Sequence, residues 1–138
     1  MGLLSDFFIS TETDASLYDG GPFVEEDRAQ YKQITSLELS MLYAILQDCE
    51  WNVDMMDEFE CIRQREDGEE GIWHIPSTMI EKLVSCSDEH LWKVAQVWAN
   101  TEELQWDASD AKMVLDDLIK LAQKVKQVKK NLYLWNCL

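Results

Sequence analysis

The sequence predicts an α+β fold in which helices pack as a layer against a small, mainly antiparallel sheet, with residues 1–138 forming one domain. Two neighbouring segments lead to this prediction. From Asp110 to Val128, apolar residues recur at the three-and-four spacing of an amphipathic helix. The next segment, Asn131 to Trp135, is an aliphatic and aromatic run that is typical of a strand. Similar strand-like runs lie near the start and the middle of the chain, with helical segments between them.

Strands are predicted where short apolar runs lie between turn-forming residues. Phe7, Phe8 and Ile9 form such a run between serine and threonine residues. A hairpin is predicted around Gly68 and Gly71, because glycine adopts the positive φ angles that longer turns require. The predicted strands are residues 4–10, 59–65, 72–75 and 131–137, and a further short extended segment is predicted at residues 31–34.

Helix starts are predicted from side chains that can cap a first turn. Thr35 and Glu38 fit a capping box, in which each side chain bonds to a free backbone N–H group at the helix start. Later helix starts are predicted at Ser77, at Ser87 and at either Asp107 or Ser109. The predicted helices are residues 36–48, 77–85, 88–99 and 109–128. Residues 11–18 suit a short helix, residues 19–28 a break and a surface loop, and residues 49–57 either a loop or a short helix.

The charge of the chain is strongly negative and unevenly distributed. Twenty-seven Asp and Glu residues against 12 Lys and Arg residues give a net charge of −15. Five of the bases and none of the acids follow residue 119, so residues 1–119 carry −20 and residues 120–138 carry +5. We expect no binding to nucleic acid or to anionic membranes, since both depend on clustered Lys and Arg. The negative charge favours solubility and approach to a basic partner.

We expect the protein to be cytoplasmic. The first eight residues, MGLLSDFF, contain no basic leader, and their apolar run is too short for a signal peptide. No segment approaches the ~20 apolar residues that a membrane-spanning helix needs. The four cysteines form no C-x-x-C pair, so they are predicted to be reduced thiols packed as small apolar groups: Cys49, Cys61, Cys86 and Cys137.

The sequence contains no recognisable catalytic or cofactor-binding motif. Only five glycines are present, and no phosphate-binding loop, dinucleotide fingerprint or G-x-S-x-G motif occurs. The acidic runs at residues 54–60 and 66–70 are typical of solvated turns, whereas acid–base catalysis needs a buried carboxylate with a shifted pKa. Cys86 and His90 have helical spacing, but a serine-rich break separates them and no second ligand pair follows. We therefore expect no metal site and no cofactor.

Aromatic and acidic residues lie close together in several parts of the sequence. Six tryptophans in 138 residues is unusual, and several of them should be half-buried at core edges or at a contact surface. An aromatic patch rimmed by carboxylates suits a basic protein surface. The connector Thr101–Asp107 is the strongest candidate for such a patch. The predicted partner-binding residues are Glu102, Glu103, Trp106, Trp51 and Trp73. Core tryptophans with incidental acidic neighbours are the alternative interpretation.

The two ends of the chain, MGLLSDFF and NLYLW, resemble the ends of small uncharacterised bacterial cytosolic proteins. The order of predicted elements between them is similar as well. This resemblance implies a bacterial cytosolic origin, and it implies no catalytic residue for this chain.

The leading functional hypothesis is an acidic, non-enzymatic protein-interaction module, such as an inhibitor or an immunity-type partner of a basic protein. The alternative is a small-molecule-binding domain or a minor enzyme, with a pocket lined by Trp73, Trp98 or Trp135 and one carboxylate. A homodimer that buries the tryptophan surface against a second copy is a third hypothesis.

Overall fold

The computed structural model describes residues 3–18, 27–65, 68–101 and 104–137. Its five strands form one antiparallel sheet, and the last strand of the chain lies in the centre of that sheet. In chain order the strands are β1 (Leu4–Ser10), β2 (Arg28–Lys32), β3 (Cys61–Arg65), β4 (Glu70–His74) and β5 (Asn131–Cys137). Their spatial order is β2–β1–β5–β4–β3, so β2 and β3 are the two edges.

The helices lie between these strands in the sequence, and the longest one leads directly into β5. In chain order they are α1 (Glu12–Ala15), α2 (Ser36–Leu46), a 3₁₀ helix (Val53–Glu58), α3 (Ser77–Val84), α4 (Asp88–Ala99) and α5 (Ala108–Val128). The capping box predicted for α2 is present, because Thr35 accepts from the Leu37 N–H and Glu38 accepts from the Thr35 N–H at 2.8 Å.

The single antiparallel sheet and the helices that lie between its strands in the sequence confirm the predicted α+β fold.

The alternation of side chains along the central strands divides the core into two parts. Phe7 and Ile9 of β1, with Leu132 and Leu134 of β5, face α2, α3, α4 and α5 and form the larger cluster. The intervening residues face the opposite side of the sheet, which we call the second face. There a smaller aromatic cluster forms from Phe8, Tyr18, Tyr133 and Trp135, together with Ala15 and Ile72. The segment that contains α1 packs over this second face.

The element boundaries differ from the predicted ones in ways that follow from hydrogen bonding. The hairpin begins at Cys61 rather than 59, because the Phe59 N–H donates to the Met56 carbonyl and ends the 3₁₀ helix. The second hairpin strand begins at Glu70 rather than 72, since Glu70 pairs in register with Arg65. The extended segment predicted at residues 31–34 lies earlier in the chain, as β2 at Arg28–Lys32. The region 49–57, predicted as either a loop or a short helix, contains most of the 3₁₀ helix. The break and loop predicted at 19–28 lie mostly outside the described residues.

The cysteines also differ from the prediction. Cys49 and Cys61 are exposed, whereas Cys86 and Cys137 are partly buried. The prediction that they pack as small apolar groups is wrong for the first two, because Cys49 follows the end of α2 and Cys61 lies on an edge strand.

The C-terminus of α5 ends in a residue with a left-handed backbone conformation. Lys129 has φ 56° and ψ 46°, and the Lys129 and Lys130 N–H groups both donate to the Val125 carbonyl. Glycine is the usual residue at this position, because a Cβ atom raises the energy of the left-handed conformation.

We predict that Lys129→Gly raises the free energy of unfolding by about 1 kcal/mol, since the side chain is exposed and the strain is relieved. Urea unfolding measures the change. The matched control is Gln127→Gly, at an exposed position inside α5, which should lower the free energy of unfolding by about 1 kcal/mol. A loss of stability in both variants contradicts the prediction.

Candidate functional site

The connector between α4 and α5 holds Trp106 at the edge of the core. Leu104 is buried, and its N–H donates to the Thr101 carbonyl at 3.2 Å. Gln105 has a positive φ of 47°, which turns the chain, and the Trp106 N–H donates to the Ala99 carbonyl at 3.0 Å. These constraints leave the Trp106 side chain half-buried beside the first turn of α5. Glu102 and Glu103, which were predicted to accompany it, lie outside the described residues.

Trp106 lines a groove between the edge strand β2 and the N-terminal turns of α5. We call this cavity, of about 480 Å³, the Trp106 groove. Tyr31 contributes from β2, and Met113, whose side chain is 58% exposed, contributes from α5. The complete lining is Tyr31, Gln105, Trp106, Asp107, Asp110, Met113 and Val114. The groove thus combines aromatic and aliphatic side chains with two carboxylates.

The two carboxylates of the Trp106 groove lie at the beginning of a long helix. Asp107 is the N-cap residue of α5, but its side chain makes no capping hydrogen bond. Asp107 and Asp110 are both exposed. The positive end of the helix dipole stabilises negative charge at these positions, so both residues also favour the helix itself. The groove therefore presents negative charge to a cationic group without burying an isolated ion.

Tyr31 is fixed in place as one wall of the groove. Its hydroxyl donates a hydrogen bond to Asp117 Oδ2 and lies 3.5 Å from the Met113 carbonyl oxygen, both on α5. Burial, followed by the hydrogen bond to Asp117, raises the pKa of the Tyr31 phenol well above its usual range. The phenol is therefore neutral across the physiological pH range, and it ties β2 to α5.

The other predicted partner-binding tryptophans do not line this groove. Trp51 is 37% exposed, and its indole N–H donates to Ser40 Oγ at 2.9 Å beside α2. Trp73 is half-buried on the helix side of the sheet, and its ring covers Gly71 so closely that a Cβ atom there would overlap it. The structure thus separates Trp51 and Trp73 from Trp106, and a role for these two residues in binding stays a prediction.

Two tryptophans of the alternative small-molecule hypothesis are buried. Trp98 has no exposed surface, and its indole N–H donates to the Glu38 carbonyl at 3.0 Å. Trp135 is 5% exposed on the second face, where it pairs in register with Asp6. Neither of them lines the Trp106 groove, and Trp73 does not line it either. The same three tryptophans are absent from the lining of a cavity beside Arg28 of β2 and of a cavity beside Cys49.

The three buried carboxylates of the described residues each have a structural partner. Asp6 accepts from the Tyr18 hydroxyl at 2.6 Å and from Gln30 Nε2 at 3.3 Å. Glu38 caps α2, and Glu70 forms an ion pair with Arg63. Burial, followed by the hydrogen bond to Asp6, raises the pKa of Tyr18 well above its usual range. These groups hold elements together, which accounts for their burial without a catalytic role.

A second groove of about 520 Å³ lies between the end of α2 and α4. Its lining has mixed charge and consists of Ile45, Asp48, Cys49, Glu50, His90, Lys93, Val94 and Val97. Although it contains a cysteine, a histidine and two acids, no group of three or more such residues within the described ranges is arranged to hold a metal ion.

Sequence reasoning did not identify Tyr31, Asp110 and Met113 as part of the site. Tyr31 is about 75 residues from Trp106 in the sequence, and only the packing of β2 on α5 brings them together. A signal was present for Met113, because it lies off the apolar stripe formed by Ala111, Val114 and Leu115 and is therefore an exposed methionine. Such side chains adapt to varied partner surfaces.

The raised phenol pKa values predict how stability depends on pH. A phenol whose pKa is higher in the native state than in the unfolded state stabilises the native state. This stabilisation is complete below pH ~10, the pKa of the phenol in the unfolded state, and it decreases as pH rises above that value. At pH ~11, absorbance at 295 nm should therefore show fewer ionised tyrosines in the native protein than in the denatured protein. In Tyr31→Phe, the free energy of unfolding should fall less steeply above pH ~10 than in the wild type. Equal ionisation of native and denatured protein contradicts the prediction.

Comparisons with protein-family models, with curated proteins and with solved structures give no match for this chain. Within the described residues, no helix is both long enough and apolar enough to cross a membrane.

Proposed function

We propose that this chain is an acidic, non-enzymatic interaction module that binds a basic protein in the cytoplasm, as an inhibitor or an immunity-type partner. The observation that carries the proposal is the Trp106 groove, in which a half-buried indole and an exposed methionine lie beside Asp107 and Asp110. Interfaces commonly have this composition, with aromatic and methionine side chains at the centre and polar groups at the rim.

The dimensions of the groove suit one or two anchoring side chains of a partner. A cavity of about 480 Å³ is large enough for the long apolar stem of a lysine or an arginine. The stem would lie on the indole and phenol rings, and the cationic head would lie near the two carboxylates. Aromatic anchors in such positions commonly account for a large part of the binding free energy.

The charge of the whole chain supports the same choice of partner. Residues 1–119 carry −20, and this field accelerates the approach of a basic protein and repels acidic ones. Exposed charges are screened by salt, with a Debye length of about 8 Å at physiological ionic strength. Binding should therefore weaken as the salt concentration rises.

Trp106→Ala should reduce the capture of a basic protein from bacterial lysate at least about tenfold, because it removes the aromatic anchor. The matched control is Trp92→Ala, since Trp92 is 41% exposed on α4 and does not line the groove. Capture is quantified on immobilised protein, and thermal unfolding is measured in parallel. Equal capture by the two variants contradicts the proposal, and so does a Trp106→Ala variant that fails to fold, because Trp106 is then a core residue.

The double variant Asp107→Asn, Asp110→Asn should weaken binding about tenfold at ~20 mM salt and much less at ~300 mM salt, because it removes the local attraction. A control with the same net charge is Asp57→Asn, Glu58→Gln, in which two exposed carboxylates of the 3₁₀ helix are neutralised. Calorimetric titration of the captured partner measures the affinities. An equal loss in both double variants would show that net charge alone matters and that the groove is not the binding site.

A further inference from the structure

We infer that the partner binds to this chain as an extended basic segment, which adds to the outer edge of β2 as a sixth antiparallel strand. This inference rests on the proposed function, because it describes how a basic partner occupies the Trp106 groove. Three observations carry it: the direction of the backbone groups of β2, the position of two cavities along this strand, and the two carboxylates that line the Trp106 groove.

The backbone of β2 directs alternate hydrogen-bonding groups away from β1, at the edge of the sheet. The Gln33 N–H donates to the Leu3 carbonyl at 2.8 Å, which makes Leu3 and Gln33 a hydrogen-bonded pair. Such pairs alternate along an antiparallel ladder, so Tyr31, opposite Ser5, also bonds to β1. The N–H and C=O groups of Gln30 and Lys32 then point away from β1. No strand within the described residues pairs with this edge.

Two cavities follow the same edge, one on each side of Tyr31. The first is the Trp106 groove, and the second is a cavity of about 240 Å³. The second cavity is lined by Arg28, Ala29, Gln30, Tyr31, Asp117, Lys120 and Leu121. Residues i and i+2 of a strand point to the same face and lie about 6.5–7 Å apart. Alternate side chains of an added strand can therefore enter the two neighbouring cavities, while its backbone bonds to Gln30 and Lys32.

The charge of the Trp106 groove favours a basic segment as the occupant over a second copy of this chain, whereas the second cavity has a lining of mixed charge, with Arg28, Lys120 and Asp117. Asp107 and Asp110 line the first cavity, and they favour a lysine or an arginine there. A second copy carries the same net charge of −15, so the two copies repel each other. An antiparallel strand is chosen because every pair in the sheet is antiparallel.

The direction of the edge groups predicts which backbone N–H groups of the partner are needed. In an antiparallel addition, the partner residues opposite Gln30 and Lys32 bond to β2, and their side chains lie on the second face. Partner residues opposite Tyr31 place their side chains beside α5, and their N–H groups point away from β2. The basic residue that enters the Trp106 groove therefore does not supply a bonding N–H group, whereas its two neighbours in the segment do.

The test uses a fluorescent peptide of about nine residues that alternates lysine and valine, with blocked ends, and measures anisotropy at ~20 mM salt. Two isomers of this peptide carry the same number of N-methyl groups, either on the valine nitrogens or on the lysine nitrogens. We expect the unmodified and lysine-methylated peptides to bind, and the valine-methylated isomer to bind at least about tenfold more weakly. Equal binding of both isomers overturns the inference, and so does a failure of the unmodified peptide to bind.

A variant of the protein tests the same bond from the other side. Lys32→Pro removes an N–H that does not bond to β1, and proline is tolerated on edge strands in this situation. We expect it to weaken binding of the unmodified peptide about tenfold relative to Lys32→Ala, which removes only the side chain. Equal affinities overturn the inference, and so does light scattering that shows a dimer which Lys32→Pro dissociates.

These results are separable from failure of the proposed function. If Trp106→Ala abolishes capture of the partner but the two methylated isomers bind equally, the groove is the binding site and the partner does not bind as a strand. If Trp106→Ala leaves capture unchanged, the proposed function itself fails.

Discussion

The antiparallel pairing of β1 with β5 is the constraint on which the rest of the structure depends. Seven residue pairs, from Leu4 opposite Cys137 to Ser10 opposite Asn131, join the first strand to the last one. Among the described strands, β2 pairs with β1 alone, and the β3–β4 hairpin joins the sheet through the pairing of β4 with β5. The side-chain amide of Asn136 reinforces this pairing, since it donates to Ser5 Oγ at 3.2 Å and to the Ile34 carbonyl at 2.8 Å. The amide thus connects the central strands to the segment that leads into α2.

The same pairing decides what lies on each side of the sheet. Alternation places Phe7 and Leu134 among the helices, whereas Phe8 and Tyr133 lie on the second face with Tyr18. The Phe8 and Tyr18 rings stack with their centroids 4.0 Å apart. Arg63 then closes the second face, because it donates to the Ser16 carbonyl at 2.5 Å and pairs with Glu70. From the segment that contains the four-residue helix α1, Ala15 and Tyr18 pack into this aromatic cluster.

The parts of the fold that the sequence predicted have strong local causes. The Thr35–Glu38 capping box, the apolar period of α5 and the apolar run of β5 each depend on residues close together in the chain. The prediction displaced β2 because its sequence, RAQYK, has little strand character and its residues pair with β1 residues that lie 20 to 28 positions away in the chain. Tertiary contacts override weak local preference in such segments.

The candidate site was predictable only in part, for a related reason. Trp106 and its acidic neighbours were visible in the sequence, but the groove also needs Tyr31 and Met113, which come from two other parts of the chain. The exposure of each tryptophan could not be read from composition either. Trp92 and Trp98 both lie on α4. Trp98 lies on the buried face of this helix with Leu91 and Val94 and is fully buried, whereas Trp92 lies off that face and is 41% exposed.

The central position of β5 has a consequence for the kinetics of folding. The sheet stays divided into the β1–β2 and β3–β4 hairpins until β5 inserts between them, and that insertion joins residues more than 120 positions apart in the chain. Closing so long a loop costs conformational entropy before any of the final contacts form. Non-local pairings of this kind slow folding relative to helical bundles of similar length. We therefore expect the amphipathic helices to collapse first and insertion of the last strand to limit the rate.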